Sequence, residues 1–243
     1  MSGHSKWHNI QVRKGKQDKA KSSQFTKFAR LITVAAREGG ADPTMNFSLR
    51  LAIDKAKAIN MPKDNIERAI KKGTGELNDG TTFEEVVYEG FGPGGVGMLV
   101  DTLTDNKNRT VGDLKSMFGK HGGSLASAGS VQWQFMKRAV VRIGKEKLSV
   151  IKNVDEFELS LIDAGADDIR QSEYGMEILA PVSNFQKVLE VVTKMGIEPD
   201  ESGLEWVAKE TLALDESGRN SLQGLYEVLD EHDDVRGVYT NLM

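Results

Sequence analysis

The apolar residues of the first third of the chain recur at the three- to four-residue spacing of amphipathic helices. They form three groups between Ser22 and Gly73, separated by Gly39-Gly40, Asp42-Pro43 and Asn60-Met61-Pro62. Glycine favours helix ends and proline is tolerated in a first turn, so these breaks fit successive helices. Each helix has one apolar stripe that must be buried, and the pattern therefore predicts a three-helix bundle.

The hydrophobic period changes to that of strands after residue 82. Residues 85–91 and 96–104 are apolar and β-branched, and the Gly-Pro-Gly-Gly between them predicts a hairpin. Residues 110–120 return to helical spacing, with Thr110 and Asp113 at capping-box positions. Residues 131–135 then predict a further strand.

A second pattern of strands and helices follows. Strands are predicted at residues 139–143, 168–172, 176–180 and 204–207, with helices at 154–164 and 184–195. Strand-helix-strand-strand-helix-strand is the order of a ferredoxin-like domain. The tail adds a strand at 208–214, a helix at 221–231 and a strand at 237–242. The unit that starts at residue 85 lacks the second half of such a domain, and these tail elements supply it.

The fold class that follows is α+β, with an N-terminal three-helix bundle followed by two ferredoxin-like α+β domains. Because the tail completes the earlier unit, the second of these domains is inserted into the first. The predicted domains are residues 1–75, residues 76–138 together with 208–243, and the inserted residues 139–207.

Charge is distributed unevenly along the chain. Residues 1–75 hold 16 Lys and Arg against 6 Asp and Glu, a net charge of +10, and the remaining residues hold 16 against 30, a net charge of −14. A strong positive excess on one domain is typical of a surface that meets phosphates, whereas the acidic remainder is repelled by them. The alternative is a charged bundle that is only well solvated.

The first 30 residues carry eight cations against the single acid Asp18, with one tryptophan and two histidines interleaved. Such a segment can order against a phosphate backbone, and an aromatic ring can stack on an unpaired base. The alternative is a basic terminus with incidental charge. The candidate nucleic-acid ligands here are His4, Lys6, Trp7, His8, Arg13, Lys14, Lys16, Lys19, Lys21, Lys27 and Arg30.

Residues 105–110 form a polar loop that leads into a predicted helix. Free backbone N–H groups and the helix dipole favour anions at a helix N-terminus, so Lys107 and Arg109 are candidate phosphate ligands. The same residues are also explained by helix capping through Asn108 or Thr110, without a ligand. The phosphate site and the helix cap both stay open as interpretations of this loop.

Enzymatic chemistry finds little support in the sequence. The absence of cysteine excludes disulfides, thiolate metal sites and cysteine nucleophiles. His4 and His8 lie four residues apart without a third ligand nearby, and His121 and His232 have no nucleophile or acid at a catalytic spacing. Residues 92–97 match the letters of a dinucleotide-binding loop, but a strand rather than a helix follows them, which indicates a turn. The alternative is that this glycine-rich loop, with little side-chain bulk, approaches RNA closely. We therefore predict no enzyme activity, no metal and no cofactor.

The sequence also predicts the cellular location of the protein and its further partners. The longest apolar runs fall short of the ~18 residues that span a bilayer, and the first residues lack the apolar region of a secretory signal, so we predict a cytoplasmic protein without a membrane partner. The acidic C-terminal domains suit a protein partner. Because ferredoxin-like units often carry ligand or subunit interfaces, a sensing or assembly module is the rival interpretation.

Several motifs resemble the YebC/PmpR family, which includes the mitochondrial translational activator of cytochrome oxidase. They are Gly3-His4-Ser5-Lys6-Trp7, residues 37–43, Asn60-Met61-Pro62, residues 88–95 and residues 104–110. The resemblance implies a helical N-terminal domain and two α+β domains. It also implies a cytoplasmic, DNA-binding transcriptional regulator, or alternatively a ribosome-associated translation factor that relieves stalling at proline-rich sequences.

Overall fold

The computed structural model of the chain describes residues 20–77, residue 80 and residues 82–243. Its helices are α1 Ala20–Gly39, α2 Phe47–Ala58, α3 Lys63–Gly73, α4 Lys107–Lys120, α5 Lys145–Leu148, α6 Val154–Asp163, α7 Phe185–Lys194 and α8 Glu216–Glu231. Its strands are β1 Glu84–Phe91, β2 Gly97–Thr104, β3 Ser124–Ala126, β4 Phe135–Gly144, β5 Asp168–Ser172, β6 Gly175–Ala180, β7 Glu201–Ala208 and β8 Val235–Thr240. Short 3-10 turns occur at Pro93–Gly95, Gln132–Gln134 and Val182–Asn184.

The three N-terminal helices pack around one apolar core, as the hydrophobic spacing predicts. Ile32 on α1, Leu49 on α2 and Ile66 on α3 are buried in this core. Asn46 caps α2 by accepting a hydrogen bond from the Leu49 N–H at 3.0 Å, and its amide donates to the Ala35 carbonyl at 2.7 Å. This buried amide therefore ties the start of α2 to α1 while satisfying an unpaired N–H of α2.

The middle sheet has the strand order β3-β1-β2-β8. β1 and β2 form the predicted antiparallel hairpin around the turn at Pro93–Gly95 and supply both central strands. α4 packs on this sheet where Gly90 removes a side chain, since a Cβ there would lie 2.6 Å from the Phe118 ring. This order differs from the predicted ferredoxin-like one. β1 and β2, which are consecutive in the chain, occupy the two central positions, and α4 connects β2 to β3 on the other side of β1.

The inserted sheet has the order β5-β6-β4-β7, with every neighbouring pair antiparallel. α6 lies in the chain between β4 and β5, and α7 lies between β6 and β7. This arrangement is the strand-helix-strand-strand-helix-strand order of a ferredoxin-like domain. The α+β class, with N-terminal helices followed by two antiparallel sheets, is therefore confirmed.

A buried arginine lies at the centre of a group of carboxylates on the inserted sheet. Arg142 on β4 is 3% exposed, and its guanidinium lies 2.7 Å from Glu177 on β6, 2.8 Å from Glu205 and 3.2 Å from Glu201 on β7. We call these four residues the Arg142 cluster. Burial by itself would lower the pKa of Arg142, but the surrounding glutamates raise it well above its usual value.

Two predicted strands do not form. Residues 131–135 comprise a 3-10 turn and the first residue of β4, because the N–H groups of Gly129 and Val131 donate to the buried Glu89 carboxylate, each at 2.5 Å. Of residues 208–214, only Ala208 lies in a strand, as the last residue of β7, and Leu212 forms an isolated bridge with Leu242.

Two helices start earlier than predicted, and one strand was not predicted. α4 begins at Lys107 and α8 at Glu216, because Asn106 and Asp215 provide side-chain caps. β3 has three residues, which is too short for an alternating pattern to be visible in the sequence.

The described chain divides into two compact units. One contains the described residues up to Val131 together with Leu214–Val238, and the other contains Gln132–Ala213 and Tyr239–Met243. The three domain ranges of the sequence analysis remain a prediction at the level of their bounds.

Candidate nucleic-acid interface

Most of the candidate ligands lie in the part of the chain that the structure leaves undescribed. These residues are His4, Lys6, Trp7, His8, Arg13, Lys14, Lys16 and Lys19. Lys21 belongs to α1, but its side chain is also outside the described residues. Their contact with nucleic acid stays a prediction.

Lys27 and Arg30 lie on α1 and make contacts inside their own unit. The Lys27 ammonium donates to the Asp230 carbonyl at the end of α8. The Arg30 guanidinium donates to the carboxylate of Asp234 and, at 2.9 Å, to the Asp233 carbonyl. These two cations therefore hold α1 against the C-terminal end of α8 and the segment that leads into β8.

Asp234 is the centre of a cluster that gathers groups from four segments of the chain. Its carboxylate is 2% exposed, accepts from Arg109 at 2.8 Å and Thr110 at 2.7 Å, and also contacts Arg30 and, at 3.2 Å, Thr104. We call these five residues the Asp234 cluster. Burial alone would raise the pKa of Asp234, but the hydrogen bonds from Arg109, Thr110 and Arg30 outweigh it and hold the pKa well below its usual value.

Lys107 and Arg109, the two predicted phosphate ligands of the middle domain, are both engaged by carboxylates. The Lys107 ammonium lies 2.5 Å from Glu84, and the Arg109 guanidinium lies 2.9 Å from Asp105 in addition to its contact with Asp234. Both side chains are about half exposed, at 53% and 44%. A phosphate would have to compete with these carboxylates, and the assignment of either residue as a ligand remains a prediction.

Asn106 caps α4, so the expectation of a cap at Asn108 or Thr110 is wrong. The Asn106 side chain accepts a hydrogen bond from the Arg109 N–H at 3.1 Å. Thr110 is instead buried inside the Asp234 cluster, where its hydroxyl also contacts Thr104 at 2.7 Å.

Two cations on α3 were not singled out from the sequence. Arg68 and Lys71 are exposed, and neither forms an ion pair with a described carboxylate, whereas Lys63 on the same helix lies 3.3 Å from Glu67. Ile66 and Ala69 point into the bundle core, so a helical projection of α3 would have placed residues 68 and 71 on its outer side. The positive charge of Arg68 and Lys71 is therefore not offset by an ion pair with a described carboxylate.

The glycine-rich turn at Pro93–Gly95 packs against its own unit. A Cβ at Gly92 would lie 2.6 Å from the Leu222 side chain, and one at Gly94 would lie 2.5 Å from that of Leu214. Gly94 also has a φ of 72°, a conformation that side chains with a Cβ rarely adopt. The structural interpretation of this motif as a turn is therefore confirmed.

No group of three or more His, Asp or Glu side chains in the described ranges is arranged to hold a metal ion. Within the same residues, no helix combines the length and the apolar character that crossing a membrane requires.

Two family matches together cover nearly the whole chain. Residues 5–76 match the TACO1/YebC protein N-terminal domain, and residues 83–242 match the TACO1/YebC second and third domain. The chain belongs to the TACO1/YebC family. The resemblance drawn from its motifs is thereby confirmed.

Relatives of this TACO1/YebC chain extend over its full length. It is 47% identical to a probable transcriptional regulatory protein of Thermoanaerobacter pseudethanolicus, with 100% of this chain and 97% of the relative covered. It is 44% identical to a protein of the same description from Fusobacterium nucleatum, with 99% and 95% covered. The crystal structure of a conserved hypothetical protein, Aq1575 from Aquifex aeolicus, superposes with a TM-score of 0.82 at 37% identity and covers 93% of this chain and 91% of its own. Both of these sequence relatives are described as probable transcriptional regulatory proteins.

Proposed function

We propose that this TACO1/YebC chain is a non-enzymatic, nucleic-acid-binding regulator of gene expression that acts in the cytoplasm, and that it binds DNA as a transcriptional regulator. The observation that carries the proposal is the separation of charge between a +10 N-terminal quarter and a −14 remainder. Lys and Arg that neutralise phosphates release counterions from the nucleic acid, which is the main source of sequence-independent affinity. The names of the relatives as transcriptional regulatory proteins support the same function.

The contact surface is proposed to be the basic N-terminal domain. The predicted ligands between His4 and Lys21 would bind together with Arg68 and Lys71 on the outer side of α3. Arg30 has a different role in this proposal, because its guanidinium contacts Asp234 and holds α1 against the segment before β8.

Charge reversal on α3 tests the proposal. The double variant Arg68→Glu, Lys71→Glu should bind duplex DNA more weakly, and its slope of log K against log salt should fall in magnitude by about 0.9 for each lost phosphate contact. Fluorescence anisotropy at several salt concentrations measures both quantities. The matched control, Lys152→Glu with Lys187→Glu, reverses two exposed lysines of the acidic half and should leave the slope unchanged. Equal behaviour of the two double variants would contradict the assignment of α3.

A ribosome-associated role in translation is the second candidate. The specific observation in its favour is the interleaving of Trp7 and two histidines with cations in the first residues, which suits unpaired bases of structured RNA. Co-sedimentation with ribosomes at moderate salt, set beside binding to duplex DNA, separates the two candidates. If the chain still co-sediments with ribosomes at a salt concentration at which it no longer binds duplex DNA, the translation role is favoured.

A further inference from the structure

The outer face of α6 exposes two large apolar side chains. Leu159 is 62% exposed and Ile162 is 54% exposed, whereas Phe157 and Leu161 of the same helix are buried. Residues three apart on a helix are neighbours, with Cβ atoms about 5–6 Å apart, so Leu159 and Ile162 form one continuous apolar surface. We call these two residues the α6 patch. Polar side chains are usual on the outer face of a surface helix, so the packing of α6 within its own unit does not explain the patch.

The neighbouring helix α7 has the usual arrangement. It contacts α6, buries Val188 and Val192, and exposes Lys187, Glu190 and Lys194. The Lys194 ammonium lies 3.8 Å from the Glu190 carboxylate. The outer face of α7 is therefore polar and solvated, whereas that of α6 leaves apolar surface in contact with water.

Acidic residues lie next to both side chains of the α6 patch. Asp155 and Asp163 lie four residues before and after Leu159, and Glu158 lies four residues before Ile162. Residues four apart are neighbours on a helix, so each apolar side chain of the patch has a carboxylate beside it along the helix. Asp155 and Asp163 are exposed, and Glu158 is half-buried.

The negative charge of these three acids is not offset inside their unit. α6 contains no Lys or Arg. Glu158 accepts a hydrogen bond at 2.7 Å from the side-chain amide of Gln171, which is neutral, and none of the three acids forms an ion pair within the described part of the chain. The surface around the patch therefore repels anions and attracts cations.

The charge decides which kind of partner fits this surface. Nucleic acids and anionic lipids are repelled by the carboxylates. A second copy that docks through the same face would bring two sets of acids together, and like charges across an interface are strongly unfavourable. A basic protein segment with an apolar stripe fits both features, because its apolar side chains cover the patch while its Lys and Arg side chains contact the acids.

We propose that the α6 patch and its neighbours Asp155, Glu158 and Asp163 form a docking surface for a basic amphipathic helix of another protein. Apolar side chains of the partner pack on Leu159 and Ile162, and its cations contact the three carboxylates. The inference rests on the proposed function, because a chain that is bound to nucleic acid lies beside other proteins on the same nucleic acid, and such proteins carry basic segments. The basic N-terminal domain and the α6 surface thus bind different members of one assembly.

A peptide of lysine and leucine, with its leucines at three- and four-residue spacing, presents both features of the proposed partner. Fluorescence anisotropy should show that the full chain binds it more tightly than a peptide of the same composition whose leucines lie all around the helix. Leu159→Ser with Ile162→Ser should weaken binding at least about tenfold, since side chains at the centre of an interface contribute most of its affinity. The matched control, Met136→Ser with Leu204→Ser, changes two exposed apolar side chains on strands of the same unit and should leave the affinity unchanged.

The carboxylates are tested by the salt dependence of the same binding. Asp155→Asn, Glu158→Gln and Asp163→Asn in one variant should weaken peptide binding at low salt and flatten its salt dependence, because the screened Coulomb attraction is lost. The matched control neutralises three exposed acids elsewhere in the same unit and should have the smaller effect on both quantities. Its substitutions are Glu146→Gln, Glu198→Gln and Glu210→Gln. An unchanged midpoint of denaturant unfolding shows that each variant is folded.

The contrary outcomes separate this surface from the proposed function. Equal binding of the two peptides, or unchanged peptide binding by the Leu159, Ile162 double variant, would overturn the docking surface alone if the chain still binds duplex DNA. Self-association of the wild-type chain in sedimentation velocity that the double variant loses would place a second copy on the patch and overturn the proposed partner. A chain that binds the peptide through the patch but binds no nucleic acid would overturn the proposed function while the docking surface stands.

Discussion

Two buried ion clusters, one in each compact unit, have opposite compositions. The Asp234 cluster places one carboxylate between the two guanidinium groups of Arg30 and Arg109, whereas the Arg142 cluster places one guanidinium among three glutamates. In both clusters the interactions with opposite charges outweigh the desolvation of the central group, so the pKa of Asp234 is lowered and that of Arg142 is raised. The central group is therefore ionised in each case.

The clusters differ in what they join. Arg142 contacts residues on the strands next to its own, where the register places Glu177 and Glu201 directly opposite it. Asp234 instead joins α1, the start of α4 and the approach to β8, and its partner Arg109 remains 44% exposed. The comparison indicates that the Arg142 cluster stabilises one sheet, whereas the Asp234 cluster holds α1 against the start of α4 and the approach to β8.

The largest effect is expected from Arg142→Met, which leaves three glutamates around a neutral side chain. Removing one partner of a buried ionic group costs about 3–5 kcal/mol, so the midpoint of denaturant unfolding should fall strongly. Lys147→Met is the control, because Lys147 pairs with Asp200 at 3.1 Å in the same unit, outside the cluster, and is 41% exposed. It should cost about 1 kcal/mol or less. Similar losses for the two variants would show that burial does not set the strength of this cluster.

A smaller effect, with a characteristic pH dependence, is expected from Asp234→Asn. Hydrogen bonds to charged groups contribute about 1.5–3 kcal/mol, and the asparagine amide can still accept some of those made to the carboxylate, so we expect a loss of about 2 kcal/mol at pH 7. Hydrogen exchange should also increase in α1, because Arg30 loses its counter-charge.

The sign of the pH dependence follows from the lowered pKa of Asp234. A carboxyl group whose folded pKa lies below its unfolded value of about 3.9 contributes full stability above that value and loses it as pH falls through the folded pKa. The difference between the wild-type chain and Asp234→Asn should therefore shrink steadily below about pH 5. A difference that stays constant down to pH 2 would show that the carboxylate charge contributes nothing to the cluster.

The smallest effect is expected from Lys107→Ala. Its ion pair with Glu84 joins two side chains that are both more than half exposed, and such pairs contribute between about 0 and 1 kcal/mol. Asn106→Ala, one residue earlier, removes the cap of α4 and should cost about 1 kcal/mol. A loss for Lys107→Ala that exceeds the loss for Asn106→Ala would place Lys107 with the buried clusters rather than the exposed pairs.

Local pattern predicted most of the elements, but its failure at residues 131–135 has a cause that is distant in sequence. β6 was predicted at residues 176–180 and forms at Gly175–Ala180, because a short, mostly apolar run next to a turn has few alternatives there. Residues 131–135 have equally good strand composition. Their backbone is drawn into a turn because Glu89, more than forty residues earlier, accepts the Val131 N–H. A contact between residues so distant in sequence leaves no trace in the local pattern.

By itself, the sequence determined the family, the fold class and the sign of charge in each part of the chain, since these follow from residue types and their spacing. Tertiary structure alone decided which charges are offset within the molecule. Arg30 and Asp234 are 204 residues apart, and Arg109 is 125 residues from the same carboxylate, yet the fold brings all three into contact. Lys137 and Lys209, which no sequence pattern singled out, instead meet a ring and a carbonyl. Coulomb energy depends on the distance between groups in space and on their burial, and spacing along the chain specifies neither quantity.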